Sequence, residues 1–148
     1  MKAMLGFGFF LLFLGGFAFV MLQGRQLGQQ NMAGGGAGIT AISWRPAFIG
    51  AEPVPEDSGM FVLFEVDGSI KGHGGCNSFF GSLEKSDSGI AVGPLGATRM
   101  SCEERVMSRE TAFMDALQKT RSFEAGAKRL QLLDDEKTLL AELVSRGD

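Results

Sequence analysis

The residues best suited to chemistry lie in one stretch that contains both cysteines and the single histidine of the chain. It begins with GHGGCN at 72–77 and ends with TRMSC at 98–102. If the domain is exported, Cys76 and Cys102 suit a disulfide. Closing a loop of about 27 residues would stabilise the fold by roughly 3–4 kcal/mol in the chain-entropy model. A structural bond between these two cysteines is therefore the favoured prediction.

The same residues allow a working thiol as an alternative. Cys102 would lie at the start of a helix, whose positive end lowers the pKa of a thiol. His73 precedes Cys76 by three positions, and a Cys–His pair can act as a nucleophile. A regular strand places residues 73 and 76 on opposite faces, which disfavours that pair. Redox cycling of the two cysteines is a further alternative, and both alternatives require at least one free, exposed thiol.

Other kinds of site find little support in the sequence. One histidine and two cysteines do not complete a closed zinc site without a carboxylate, and no CxxC pair occurs. The glycines match neither the dinucleotide fingerprint nor the P-loop. A net charge of −3 without a basic run disfavours nucleic acid as a partner. We therefore expect no metal, no cofactor and no catalytic residue. Arg99 could bind an anion, but pairing with Glu103 or Glu110 is the favoured interpretation.

The chain divides by composition into three parts. Residues 1–24 form an apolar segment in which Ala3 to Gly24 carry no charge. As a helix this segment would span roughly 33 Å, enough to cross a bilayer. An uncleaved membrane anchor is the favoured interpretation, with a cleaved signal peptide as the alternative. Residues 25–38 are a Gly/Gln-rich linker, and residues 39–148 form the folded domain.

The domain reads as a series of short strands with one helix. Alternating apolar residues predict a first strand from Ile39 to Pro46 and a second from Met60 to Val66. Asp67-Gly68 predicts a type I′ hairpin turn. Further strands are predicted at 69–73, 77–83, 90–92, 122–125, 130–132 and 139–144. This pattern indicates a β-rich α+β domain, with an antiparallel sheet curled into a small barrel whose opening or face the helix covers.

The helix is predicted from its N-terminal signal and its apolar stripe. Ser101 and Glu104 match the capping box S-x-x-E, with Ser101 as N-cap and the helix running to about Lys119. Val106, Phe113 and Leu117 follow at helical spacing and predict core packing.

The two cysteine motifs also carry a family resemblance. Together with the last hairpin they resemble the META domain, the family of the HslJ-like bacterial heat-shock proteins. The resemblance covers roughly residues 39–144 and rests on Gly74, Gly75, Cys76, Asn77, Phe80, Gly81, Thr98, Arg99, Met100, Ser101, Cys102, Glu110, Phe113, Leu117, Leu130 and Leu132. It implies a barrel-like fold with one helix and no established catalytic activity. It also implies a bacterial envelope protein, often a lipoprotein, linked to stress tolerance, motility or secretion. Two departures are Leu83, where members often have an aromatic residue, and the missing lipid-carrying cysteine.

These observations predict a non-catalytic envelope protein, tethered to the inner membrane by its N-terminal segment with the domain in the periplasm. Cleavage of that segment would instead release it into the periplasm. Its expected role is to bind or stabilise an envelope partner. A binder of an apolar ligand or lipid inside the barrel is one alternative, and a barrel filled by Phe61, Phe64, Phe79 and Phe80 would exclude it. A thiol redox sensor or enzyme is the other.

Overall fold

A computed structural model describes residues 38–86 and 89–147. The predicted anchor and all of the predicted linker except Gly38 lie outside these residues. Within the described ranges, no helix is both long and apolar enough to span a membrane.

The described part of the chain contains ten strands and one α-helix, with a short 3-10 turn at Glu56–Ser58. The strands before the helix are β1 Ser43–Ile49, β2 Glu52–Pro53, β3 Phe61–Phe64, β4 Ser69–His73, β5 Ser78–Ser86, β6 Gly89–Val92 and β7 Gly96–Ala97. The helix, α1, spans Glu104–Lys119, and β8 Ser122–Ala125, β9 Arg129–Leu133 and β10 Leu139–Ser145 follow it.

All strands join in one antiparallel sheet with the order β6-β5-β4-β3-β1-β10-β9-β8, while β2 pairs with β1 and β7 with β5. The predicted antiparallel sheet with one helix is confirmed, but the closed barrel is not. No ladder joins β6 to β8 among the described residues. Each of these end strands has only four residues, and β6 lies against α1. The edges are therefore covered or short, which is how open sheets avoid unwanted pairing.

The core lies between the concave face of the sheet and the helix. Its largest fully buried rings are Trp44, Phe64, Phe79 and Phe113. The rings of Phe79 and Phe113 meet edge to face with centroids 5.9 Å apart, which links β5 to α1. The Trp44 indole donates to the carbonyl of Ile39 at 2.9 Å, so its polar edge is satisfied within the core.

The prediction for the first strand needs correction at both ends. The first strand begins at Ser43 and not at Ile39, because Ala41 adopts a left-handed backbone with φ of 59°. It also continues through Pro46, where the pairing with β10 shifts register between Pro46 and Phe48. A bulge is one of the few places where a sheet accepts proline, since proline cannot donate to the ladder.

The β3–β4 hairpin forms where Asp67-Gly68 predicts it, but with a different turn. A type I′ turn needs positive φ at both central residues, and only Gly68 has it, at 85°. The amide of Gly68 donates to the carbonyl of Glu65 at 3.1 Å, so the turn spans residues 65–68. The Ser69 side chain and amide bond the exposed Asp67 carboxylate, which lowers its pKa. Asp67 thus holds the turn through its side chain, which leaves the left-handed position to glycine.

The predicted C-terminal end of the helix at Lys119 is confirmed, whereas the predicted N-cap is wrong. α1 begins at Glu104, and its N-cap is Glu103, which makes no side-chain capping bond. The capping box of Ser101 and Glu104 is therefore absent. The first intrahelical bonds run from Val106 and Met107 to the Glu103 carbonyl. Tertiary contacts of the segment before the helix, which bonds Asn77 and carries Cys102, override the local signal.

Substitution of a core ring on α1 should cost far more stability than substitution of an exposed apolar side chain on the same helix. We expect Phe113→Ala to lower the free energy of unfolding by about 3–5 kcal/mol, because it leaves a cavity against Phe79. The matched control, Met107→Ala, removes an exposed side chain and should change it by no more than about 0.5 kcal/mol. Urea denaturation measures both, and equal losses would contradict the assigned core.

Candidate functional site

The two cysteine motifs converge on one carboxylate of the helix. Glu110 lies on the buried face of α1 with only 7% of its surface exposed. Its Oε2 accepts hydrogen bonds from the backbone amides of Cys76 at 3.1 Å and Asn77 at 2.6 Å. Its Oε1 accepts a third from the Asn77 side-chain amide at 2.7 Å. All three partners are N–H donors, so they match the acceptor capacity of a carboxylate.

Asn77 extends this network to the second motif. Its side-chain oxygen accepts from the Met100 amide at 2.7 Å and from the Thr98 hydroxyl at 2.9 Å. Its side-chain nitrogen donates to the Met100 carbonyl at 3.3 Å in addition to Glu110. Among the described residues, every buried side-chain nitrogen and oxygen atom has a hydrogen-bond partner. The Asn77 side chain therefore joins the loop before β5 to the segment that precedes α1.

Glycine is required where the loop passes over the carboxylate. A Cβ at Gly74 would lie 2.5 Å from Glu110 Oε2, so any side chain there would displace the carboxylate. Gly75 follows with φ of 105°, a backbone that other residues rarely adopt. The Gly74 amide donates to the Asn77 carbonyl at 2.8 Å and closes the loop on itself.

The predicted disulfide is confirmed. Cys76 and Cys102 are bonded, with their Cα atoms 6.0 Å apart. The bond ties the buried glycine loop to the exposed end of the segment that leads into α1. His73 is not paired with a thiol, because its Nδ1 accepts a hydrogen bond from the Gly75 amide at 3.0 Å. In this oxidised form the chain has no free cysteine, so the Cys–His nucleophile is not formed.

Two further family-motif residues, Phe80 and Gly81, support close packing on the two faces of β5. The Phe80 ring lies over Gly96, where a Cβ would come within 2.7 Å of it. Leu95 covers Gly81 in the same way, at 2.5 Å. Such pairs let an aromatic or aliphatic side chain cover the bare backbone of glycine.

Arg99 does not behave as predicted. It is exposed, and none of the salt bridges among the described residues involves it. Glu110 is already satisfied by Asn77 and two backbone amides, which explains why it does not pair with Arg99. The side chain of Arg99 is therefore exposed to solvent without a carboxylate partner among the described residues.

The central role of Glu110 is the feature that sequence reasoning missed. A signal for it exists in the helix pattern, since position 110 falls on the same stripe as Val106, Phe113 and Leu117. A charged residue on an apolar stripe needs buried partners, but the stripe alone does not say which.

No other cluster in the described residues resembles a site. Across 38–86 and 89–147, no three His, Cys, Asp or Glu side chains are grouped closely enough to hold a metal ion. An open depression of about 280 Å³ lies at the β8–β9 hairpin, lined by Glu124, Ala125, Gly126, Arg129 and Gln131. None of these residues belongs to the cysteine motifs.

Replacing the carboxylate of Glu110 by an amide should expose its structural role. In Glu110→Gln the new NH₂ group must face at least one N–H donor, so we expect a loss of about 1–3 kcal/mol in the free energy of unfolding. Glu104→Gln, an exposed position on the same helix, is the control and should stay within about 0.5 kcal/mol of wild type. Urea denaturation at constant m-value tests the pair, and an unchanged midpoint for Glu110→Gln would show that the network adds nothing.

The fold recurs in solved structures of low sequence identity. A protein from Burkholderia xenovorans, determined by NMR, matches with a TM-score of 0.58 and 22% identity over 74% of this chain and 85% of its own. A crystal structure of a DUF4847 family protein from Bacteroides vulgatus gives 0.53 and 16% identity, with 72% and 93% covered. At these identities the likeness concerns the fold alone.

The sequence itself matches a known domain. A search of curated proteins finds no match. The profile of the META domain matches residues 37–145, a range that includes both cysteine motifs, the whole of α1 and the last hairpin. Because this match spans well over half of the sequence, the chain belongs to the META domain family.

Proposed function

We propose that this META-domain protein is a non-catalytic accessory of the bacterial cell envelope that binds or stabilises an envelope protein. The observation that carries the proposal is that the polar groups of the motif bond one another. Glu110, Asn77 and Thr98 form one internal network, and Cys76 is bonded to Cys102. A catalytic centre needs reactive groups free to reach a substrate, and these groups are already engaged.

The envelope location rests on two features of the chain. A disulfide is typical of exported proteins, because reducing systems keep cytosolic thiols free. The apolar segment at residues 1–24 would anchor the protein in the inner membrane with the domain in the periplasm, or direct its release there if cleaved. A role in stress tolerance or secretion, as in HslJ-like proteins, belongs to the same proposal.

The proposed contact surface lies beside the motif. Phe80 and Met100 are 62% and 56% exposed. The chain around Ser78 runs antiparallel to the chain around Thr98, and the Thr98 amide donates to the Ser78 carbonyl at 3.0 Å. Phe80 and Met100 therefore lie on either side of this hydrogen bond. Aromatic residues, methionine and arginine are enriched in protein interfaces. Arg99, exposed between Thr98 and Met100, completes a surface of that composition.

A ligand inside the sheet is the weaker alternative. The space between sheet and helix holds the fully buried rings of Trp44, Phe64 and Phe113 together with Phe79. Of the four phenylalanines expected to fill a barrel, Phe64 and Phe79 do so, whereas Phe61 is half-buried and Phe80 points outward. The packed interior argues against a stable apolar guest.

Site-specific photocrosslinking in intact bacteria tests the contact surface. We expect benzoylphenylalanine in place of Phe80 to yield one protein adduct of defined mass. The control is the same residue in place of Val66, which is 81% exposed at the β3–β4 turn and lies outside the proposed surface. Val66 should yield no such adduct. Identical adducts at both positions, or none at position 80, would contradict the proposal, and an adduct of lipid mass would favour the apolar-ligand alternative.

A further inference from the structure

We propose that the Cys76–Cys102 bond is a reversible thiol–disulfide exchange site, at which a dithiol oxidoreductase attacks the sulfur of Cys102. This inference goes beyond the proposed function and does not depend on it, because exchange requires no envelope partner. It rests on an asymmetry of exposure across the bond. Cys76 is 2% exposed, whereas Cys102 is exposed at the surface.

Exposure decides which sulfur can react. Exchange requires a thiolate to reach one sulfur of the bond, and access to that sulfur limits the rate. Cys76 lies in the loop that Glu110 holds against the helix, so its sulfur is shielded by that loop. Cys102 lies two residues before α1 and its residue surface is open to solvent. The attacking thiolate therefore meets Cys102 first.

The proposed reaction is a two-electron exchange. A thiolate of the oxidoreductase forms a bond to Cys102 Sγ, the Cys76–Cys102 bond breaks, and its electron pair leaves on Cys76 Sγ. The Cys76 sulfur takes up the proton that the attacking thiol had lost. The second thiol of the oxidoreductase then attacks its own sulfur in the mixed disulfide. Cys102 leaves with the electron pair and is protonated in turn. The two cysteines end as thiols and the oxidoreductase ends as a disulfide, so atoms and electrons balance.

The protein already holds a partner for the released thiol of Cys76. Its Sγ lies 3.6 Å from the Met100 carbonyl oxygen. A thiol at that position can donate its S–H to this oxygen, within the longer distance that sulfur requires. The Asn77 side chain donates to the same oxygen at 3.3 Å, which fixes it in place.

The same network would make the exchange reversible. Asn77 bonds the amide of Met100 as well as its carbonyl, and Glu110 holds the amide of Cys76. None of these bonds involves a sulfur atom, so the loop and the segment before α1 stay together after reduction. The two thiols remain close, and oxidation can restore the bond without refolding.

Trapping of the mixed disulfide tests which sulfur is attacked. The oxidised full chain, in mild detergent, is incubated with a thioredoxin-like oxidoreductase whose second active-site cysteine is replaced by serine, and peptide mass spectrometry locates the adduct. We expect the adduct on Cys102. An adduct on Cys76, or no adduct at all, would overturn the proposal.

Thiol kinetics provide the second arm. In Cys76→Ala, the thiol of Cys102 should react with Ellman's reagent at least about tenfold faster than the thiol of Cys76 does in Cys102→Ala. In urea the two rates should become similar, which shows that the fold causes the difference. Similar rates under native conditions would contradict the proposed asymmetry.

Reversibility is tested on the wild-type full chain. After reduction by dithiothreitol, the near-UV circular dichroism of the buried Trp44 should persist, and removal of the reductant should restore the Cys76–Cys102 bond. Loss of that signal on reduction would show that the hydrogen-bond network cannot hold the site together, and the exchange would not be reversible.

Discussion

The buried carboxylate of Glu110 is the constraint on which the motif region depends. It accepts three N–H bonds from Cys76 and Asn77, two of them from backbone amides of a loop. A carboxylate this deeply buried must be bonded, since an unsatisfied charge in the interior is strongly destabilising. The loop before β5 must therefore approach α1 closely, and Gly74 leaves the space that this approach requires.

The disulfide and the hydrogen-bond network join the same two segments, the loop before β5 and the segment before α1. They stabilise this connection through different free-energy terms. In the chain-entropy model the bond between Cys76 and Cys102 acts mainly by restricting the unfolded chain. The contacts of Asn77 and Glu110 act on the native state, where they satisfy buried amides. The two kinds of linkage are therefore independent, and opening the Cys76–Cys102 bond removes none of the hydrogen bonds that Asn77 and Glu110 make.

Local sequence signals predicted the elements better than their ends. The Asp67-Gly68 turn signal located the strand at 69–73, and helical periodicity located the body of α1. The disulfide between the two cysteines was also predicted correctly. The prediction of a capping box was wrong because Asn77 and the disulfide hold residues 98–102 outside the helix. The prediction of a type I′ turn was wrong because the Asp67 side chain bonds Ser69 and favours a longer turn. The prediction of a closed barrel was wrong because no ladder joins β6 to β8 among the described residues, and alternation alone does not encode which strands pair.

The candidate site could be predicted only in part, again because its contacts join residues that are distant in sequence. The motif glycines, Asn77 and the cysteines were identified, yet what they do depends on Glu110, which lies 33 residues from Asn77 in sequence. A charged residue on an apolar helix stripe predicts that a buried hydrogen-bond partner exists, but the stripe does not identify that partner. Arg99 is the opposite case. The sequence suggested an ion pair between Arg99 and Glu110, but in the fold the Glu110 carboxylate is bonded by the amides of Cys76 and Asn77 instead. Long-range partners of this kind follow from the topology and not from any local pattern.

Amide hydrogen exchange at Cys76 and Asn77 tests the central role of Glu110 most directly. Both amides lie in a loop between β4 and β5, where exchange would ordinarily be fast. If the buried carboxylate holds them, they should be protected to a degree similar to the paired amides of β4, and this protection should fall in Glu110→Gln. Exchange as fast as at the amide of the exposed Asp135 would contradict the account.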